Sequence, residues 1–128
     1  MTAFERVRRS DARVLQQDSP QRPTHGGVLL VLDVATADGF GFAEVADLVR
    51  SRLHELPRYR QVLAPTPLGI AEPLWVDDVE FDLSYHLRHA ALPQPGTMDQ
   101  LTAFAARVLS RPLDRTRPLW ELYVVEAV

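Results

Sequence analysis

Arg111-Pro112-Leu113-Asp114-Arg115-Thr116-Arg117-Pro118-Leu119-Trp120-Glu121-Leu122-Tyr123-Val124-Val125-Glu126-Ala127-Val128 is the stretch whose reading decides the fold. Pro112 and Pro118 bracket a charged turn, and their fixed φ sets the entry to the apolar run after them. From 119 to 128 only Glu121 and Glu126 are charged, and no Gly, Pro, Asn or Asp interrupts the run. The run therefore predicts a strand apolar on both faces. Such a strand expects neighbours on both sides, so the chain reads as the front part of something larger.

Upstream, Thr97 with Gln100 three residues on forms a capping box. Leu101, Phe104, Ala105, Val108 and Leu109 then give a helical stripe that ends before Pro112. Before it, Leu83, Tyr85, Leu87, His89 and Ala91 alternate with Ser84, His86, Arg88 and Ala90, the period of a half-buried strand closed by Pro93-Gln94-Pro95-Gly96. Prolines at 65, 67 and 73 cut the preceding region into pieces, of which 59–63 and 74–76 are strand candidates. Phe42, Val45, Ala46, Val49 and Leu53 recur at helical spacing, and Pro57 stops that helix. Val28-Leu29-Leu30-Val31-Leu32 predicts an internal strand ended by Asp33 and later by Asp38-Gly39. Ser10 is the expected N-cap of a first helix over 11–18, closed by Ser19-Pro20. The order is a mixed α/β (α+β) one, without repeats or a linker. Gly26-Gly27 precedes its strand, where a dinucleotide loop would come after one, which argues against a nucleotide fold.

Composition narrows the classes. A chain of 128 residues with a formal charge of −3 suits one ordered domain, which buries roughly two-thirds of its unfolded surface. Arg6, Arg8, Arg9 and Arg13 are the one basic cluster, without interleaved aromatics, which speaks against nucleic acid as a partner. All 14 basic residues are Arg, so lysine Schiff-base chemistry is excluded. Without cysteine, neither disulfides nor thiol catalysis operate within the chain. Met1-Thr2-Ala3-Phe4-Glu5-Arg6 lacks the apolar core of a signal peptide, and the longest apolar run, 26–32, is too short to cross a bilayer. The cytoplasm is the expected location.

Few side chains point to chemistry. His86 and His89, three apart in a strand, leave opposite faces and cannot share a metal. On that reading His89 lies on the apolar face as a hydrogen-bonded core residue and His86 is solvated. No serine stands in a Gly-x-Ser-x-Gly context. Asp77, Asp78, Glu80 and Asp82 lack the spacing of a calcium loop and read as a solvated turn anchored by Phe81 and Leu83. Asp114, Arg115, Arg117 and Glu121 read as an ion-paired turn that positions Trp120. Trp120 itself is either core filler or an apolar wall of a ligand pocket. No metal site and no resident cofactor are expected.

The stretch 112–121 nevertheless resembles the proline-leucine-tryptophan region of the bacterial wax ester synthase and acyl-CoA:diacylglycerol acyltransferase family. Ser10-Asp11, Pro23-Thr24-His25-Gly26-Gly27, Pro57-Arg58-Tyr59-Arg60, Trp75-Val76-Asp77-Asp78, Phe81-Asp82-Leu83-Ser84-Tyr85-His86-Leu87-Arg88, Ala91-Leu92-Pro93-Gln94-Pro95-Gly96 and Gln100-Leu101 stand in the family's order. The resemblance covers essentially the whole chain. Two departures stand out. Thr24-His25-Gly26 occupies the place of a methionine-histidine-valine, and the family's catalytic His-His-x-x-x-Asp-Gly motif is absent from the sequence.

The resemblance implies the front half of a chloramphenicol-acetyltransferase-like, CoA-dependent acyltransferase fold, with residues 1–128 as the N-terminal part of the domain and the C-terminal half missing. In the family reaction the second histidine of the motif takes a proton from an alcohol that attacks the acyl-CoA thioester, a role worth roughly 100- to 10,000-fold in rate. Acyl-CoA is then the co-substrate, diacylglycerol or a long-chain alcohol the acceptor, and triacylglycerol or wax ester the product. Association with a membrane surface or lipid inclusion is implied by family. No catalytic residue carries over to this chain, and Leu119 and Trp120 are expected beside the apolar tunnel. Condensation domains of nonribosomal peptide synthesis share the fold and motif, but 81–100 resembles the lipid enzymes better. The alternative is a non-catalytic acyl-chain-binding or interaction protein derived from the family.

Overall fold

Strand β1 (Phe4–Arg6) pairs antiparallel with residues 74–76, and the last sheet bond runs from Val7 N–H to Pro73 O at 2.9 Å. Helix α1 (Arg9–Gln17) begins immediately afterwards. A computed structural model describes residues 4–19, 21–34 and 39–127. Pro20, Asp38 and Val128, expected as element boundaries, lie outside the described residues. The chain divides into two compact units, one of Met1–His25, Glu55–Phe81 and Arg111–Trp120, the other of Gly26–His54, Asp82–Ser110 and Glu121–Val128.

The first unit is built on a three-stranded antiparallel sheet. Helix α1 starts earlier than expected because the cap is Arg8 rather than Ser10; Arg8 O accepts from Ala12 N–H at 2.8 Å, and no side chain caps the end. Val7 and Ala12 are buried. Pro57–Arg60 forms a 3-10 turn, so the strand expected from Tyr59 begins only at Gln61. This strand, β2 (Gln61–Ala64), pairs antiparallel with β3 (Leu74–Asp77), and the sheet order is β1-β3-β2. β1 has no signature in the sequence, since three residues carry no periodicity of their own and pair only through a partner distant in sequence.

The second unit holds α2 (Phe42–Arg52), which passes through a 3-10 turn at Leu53–Glu55. Asp82 then caps a short helix, α3 (Leu83–His86), its carboxylate accepting from Ser84 N–H at 3.0 Å and from Ser84 Oγ at 2.7 Å. This corrects the expected strand over 83–91. Alternation alone would have made a strand, but an Asp two residues before a Ser satisfies the orphan donors of a helix start. The strand begins only at β4 (Leu87–Leu92). As a result the two histidines exchange roles. His86 is 1% exposed, whereas His89 is an exposed residue of the strand.

Helix α4 (Met98–Leu109) carries the complete capping box, with Gln100 N–H donating to Thr97 Oγ1 at 3.2 Å and Thr97 N–H donating to Gln100 Oε1 at 2.7 Å. β5 (Leu122–Ala127) runs parallel to β4, Leu87 opposite Leu122 and Leu92 opposite Ala127. The strand expected from residue 119 thus starts three residues later, after Trp120 N–H turns back to Pro118 O. Among the described residues β5 pairs with β4 alone.

Residues 28–32 form no strand. Val28 is 88% exposed and Leu30 76%, and no ladder among the described residues includes this segment. An apolar run becomes a strand only when a neighbour takes up its backbone groups, and none of the described strands lies in that position.

Gly96 closes the turn after β4 with φ at +72°, and a Cβ built on it would lie 2.8 Å from the Ala127 Cβ. Thr97→Ala is expected to cost about 1 kcal/mol by loss of the cap, and Gly96→Ala more, because strain and collision add. Urea unfolding midpoints measure both. An unchanged midpoint for Gly96→Ala would contradict the close approach of this turn to β5.

Candidate functional site

The segment that carries Leu119 and Trp120 belongs to the first unit and is tied down along its length. Asp114 organises the turn: its carboxylate accepts from Thr116 N–H at 2.9 Å and from Thr116 Oγ1 at 2.6 Å, and its carbonyl accepts from Arg117 N–H at 3.2 Å. These bonds from Thr116, with a smaller contribution from the Arg117 guanidinium at 3.7 Å, hold the Asp114 carboxyl below its ordinary value. Arg115 reaches back to α1, donating to Leu15 O and lying 3.4 Å from Asp18. Asp18 in turn accepts from Thr24 N–H at 2.7 Å, the main reason its carboxyl is also lowered; Arg115 adds to the effect. Guanidinium at the carbonyl end of a helix is the favourable sign for the helix dipole.

Pro118 is fully buried, and Trp120 comes next but one, half-buried. The indole Nε1–H donates to Tyr59 O at 2.8 Å, and the two rings meet edge to face with centroids 5.6 Å apart. Leu119 is half-buried beside it. Of the four charges expected to form an ion-paired turn, Asp114 and Arg117 pair within it at 3.7 Å, and the other two turn elsewhere. Arg115 serves α1 instead of its own turn, while Glu121, in the second unit, pairs with Arg88 at 3.4 Å. A cleft of about 290 Å³ opens between α1 and the ends of β2 and β3, lined by Ala12, Leu15, Leu63, Pro65, Pro73 and Arg115. It does not include Leu119 or Trp120.

The second unit gathers aromatic and charged groups on its parallel pair. The Arg88 guanidinium lies 4.8 Å from the Tyr85 ring and 5.8 Å from the Tyr123 ring, and its Nε–H donates to Tyr85 O at 2.9 Å. His89 stacks on Phe42 at 4.9 Å with the rings 2° from parallel, and its Nε2 is 3.1 Å from Glu126 Oε1. This exposed pair replaces the core histidine expected at 89. Buried His86 packs edge to face on Tyr85 at 5.0 Å. Alternation could not have found either placement, because both depend on where β4 begins.

The acidic run forms the expected turn, Asp78 Oδ1 accepting from Glu80 N–H at 3.0 Å and Asp78 O from Phe81 N–H at 3.3 Å. Among the described residues no three His, Asp or Glu side chains are arranged to hold a metal ion. No described helix is long and apolar enough to cross a membrane.

Residues 7–128 match the wax ester synthase/diacylglycerol acyltransferase catalytic domain. The chain belongs to this family. It is 43% identical over 123 residues to a Mycobacterium tuberculosis protein named as a probable diacylglycerol O-acyltransferase, tgs3, a match covering 96% of this chain and 45% of that protein. A further M. tuberculosis relative, named as a probable diacylglycerol O-acyltransferase, tgs1, is 39% identical over 102 residues, 80% of this chain and 21% of its own length. The solved wax ester synthase/diacylglycerol acyltransferase of Marinobacter aquaeolei VT8 superposes with a TM-score of 0.71 at 27% identity, over 97% of this chain and 31% of the solved one. The chain thus spans about half the length of tgs3 and about a third of the solved structure. The mixed α/β arrangement is that of part of this family's fold, which is of the chloramphenicol-acetyltransferase type.

Two measurements check the tie-down of the Pro118-Leu119-Trp120 segment. Trp120→Phe keeps a ring but removes the donor to Tyr59 O, and is expected to cost about 1 kcal/mol. Asp114 has a folded pKa below its ordinary 3.8, so its contribution to stability is complete above that value and is lost as pH falls through the folded pKa. Asp114→Ala should therefore be less stable than the parent at pH 7, with the difference shrinking as the pH is taken below 3.8. A difference independent of pH in urea titrations would contradict this account of the carboxylate.

Proposed function

We propose that the chain is the N-terminal part of an acyl-CoA-dependent O-acyltransferase that makes triacylglycerol or wax ester from diacylglycerol or a long-chain alcohol. The observation that carries this reading is the match of residues 7–128 to the family's catalytic domain. The geometry supports an auxiliary role for these residues in that reaction. The paired polar side chains of 112–120 hold the segment to its own unit, and Trp120 presents a fixed aromatic surface while its one donor is engaged. Leu119 and Trp120 are the proposed contacts of the acyl chain or the apolar alcohol.

The base that deprotonates the acceptor alcohol is assigned to a His-His-x-x-x-Asp-Gly motif, and the sequence holds no His-His pair. His86 is enclosed, and His89 is occupied by Phe42 and Glu126. The 128 residues alone are accordingly expected to be inactive, and acyl-CoA serves as co-substrate rather than as a resident cofactor. A cytoplasmic location, or one at a membrane surface or lipid inclusion, accords with this reading.

A second reading, a non-catalytic interaction protein derived from the family, is favoured by the exposed apolar segment 28–32. Assay of the purified chain with palmitoyl-CoA and either diacylglycerol or hexadecanol separates the possibilities. No transfer by the chain alone, with transfer once the remaining length found in relatives is supplied, is the expected outcome. Transfer by the chain itself would overturn the assignment of the base. Inactivity of the completed protein would favour the interaction reading.

A further inference from the structure

The turn joining β2 to β3 displays apolar side chains to water. Leu68 is 98% exposed and Ile70 81%, and residues 65–71 carry no charge. Leu68 also adopts φ of +57°, in the left-handed region that glycine or asparagine enters more easily than a bulky side chain. The turn is closed by the Thr66 hydroxyl together with its own backbone. Thr66 Oγ1 donates to Ala71 O at 2.7 Å and accepts from Ala71 N–H at 3.2 Å. Gly69 N–H reaches Thr66 O at 3.1 Å, and Ile70 N–H reaches Pro67 O at 3.4 Å. Pro65 and Pro67 have no N–H to satisfy. With the N–H groups of Gly69, Ile70 and Ala71 bonded within the turn, bringing this apolar tip into hydrocarbon costs less than it would with those donors unpaired. The same property leaves little for a protein partner's hydrogen-bonding groups to engage.

Basic residues stand at the foot of this turn. The sheet register sets Arg6 opposite Leu74, and its guanidinium reaches Glu72 O at 3.4 Å. The bond from Val7 N–H to Pro73 O brings the exposed Arg8 and Arg9 to the same end of the sheet. The acidic groups nearby are Glu72, Asp11 in the first turn of α1, and Glu5, whose carboxylate is held by Arg58 at 2.7 Å. An uncharged apolar tip above a set of guanidinium groups complements the layering of an anionic bilayer, with phosphates outside and acyl chains within.

We infer that the 65–73 turn is a membrane-docking element: Leu68 and Ile70 enter the outer acyl layer of an anionic phospholipid surface while Arg6, Arg8 and Arg9 meet its phosphates. The assignment stands on this hairpin and the neighbouring arginines of β1 and α1, and it holds whatever reaction the chain serves.

Because the sequence has no cysteine, Leu68→Cys gives a single site for an environment-sensitive dye. Val79→Cys, at a position 91% exposed beyond the other end of β3, gives the control. With vesicles of phosphatidylcholine containing phosphatidylglycerol, the dye at position 68 should shift to the blue and be quenched by spin-labelled acyl chains, and the dye at 79 should not. Leu68→Asn with Ile70→Ser, choices compatible with the backbone, should lower partitioning about tenfold or more. Arg8→Gln and Arg9→Gln should each lower it about fivefold on anionic vesicles and change little on phosphatidylcholine alone. The inference is overturned if the unmodified chain does not bind the anionic vesicles, if both dye positions respond alike, or if the Leu68/Ile70 variant binds like the parent. Self-association of the chain abolished by that variant, without vesicle binding, would instead give the tip to a second copy.

Discussion

Parallel pairing of β4 with β5 is the constraint on which the rest of the second unit depends. A hairpin cannot join parallel strands, so the chain between Leu92 and Leu122 must form a crossover connection. The part of that stretch within the second unit answers to this need. Gly96 turns the backbone beside the end of β5, Thr97 starts a helix at once, and Phe104 on that helix meets Tyr123 edge to face at 5.8 Å. Side chains across the ladder reinforce the register at both ends, Arg88 with Glu121 near its start and His89 with Glu126 near its finish. These pairs are half-exposed and contribute modestly; the backbone ladder and the ring packing carry more.

Local signals in the sequence proved decisive where a single element could satisfy its own requirements. The capping box, the stripe of α4 and the proline after α2 are of this kind, and all lie where expected. Non-local elements were illegible for a physical reason. β1 is three residues long and owes its existence to β3, some seventy positions away. At 83–86 two local signals competed, alternation and the Asp82 cap, and the bonds made by the cap prevailed. The four-residue displacement carried His86 inside and His89 out. At 28–32 an apolar composition does not bring a pairing partner with it, and the segment stays exposed.

The candidate segment was legible in outline and not in its anchoring. Its order of prolines, leucine and tryptophan could be recognised along the chain, and an ion-paired turn could be expected from its charges. That Trp120 would donate to Tyr59 O, 61 positions away, could not. An indole N–H in a half-buried place requires an acceptor, but chemistry alone does not say which carbonyl will be present. Arg115 illustrates the same limit. Its neighbours in sequence include an aspartate, yet it reaches α1, where helix-end carbonyls attract a cation.

The Thr66 hydroxyl has a consequence beyond the turn it closes. It gives and receives a hydrogen bond with one residue, Ala71, and so fixes the loop's shape from its base. With prolines on one side and Gly69 in a left-handed conformation on the other, none of the bonds that define the shape uses the side chain of Leu68 or Ile70. The tip is therefore interchangeable in chemistry while constant in form. Descendants of this chain could acquire a different surface preference through changes at two positions, leaving the sheet beneath unaltered, which makes this hairpin a place where specificity can drift without loss of the fold.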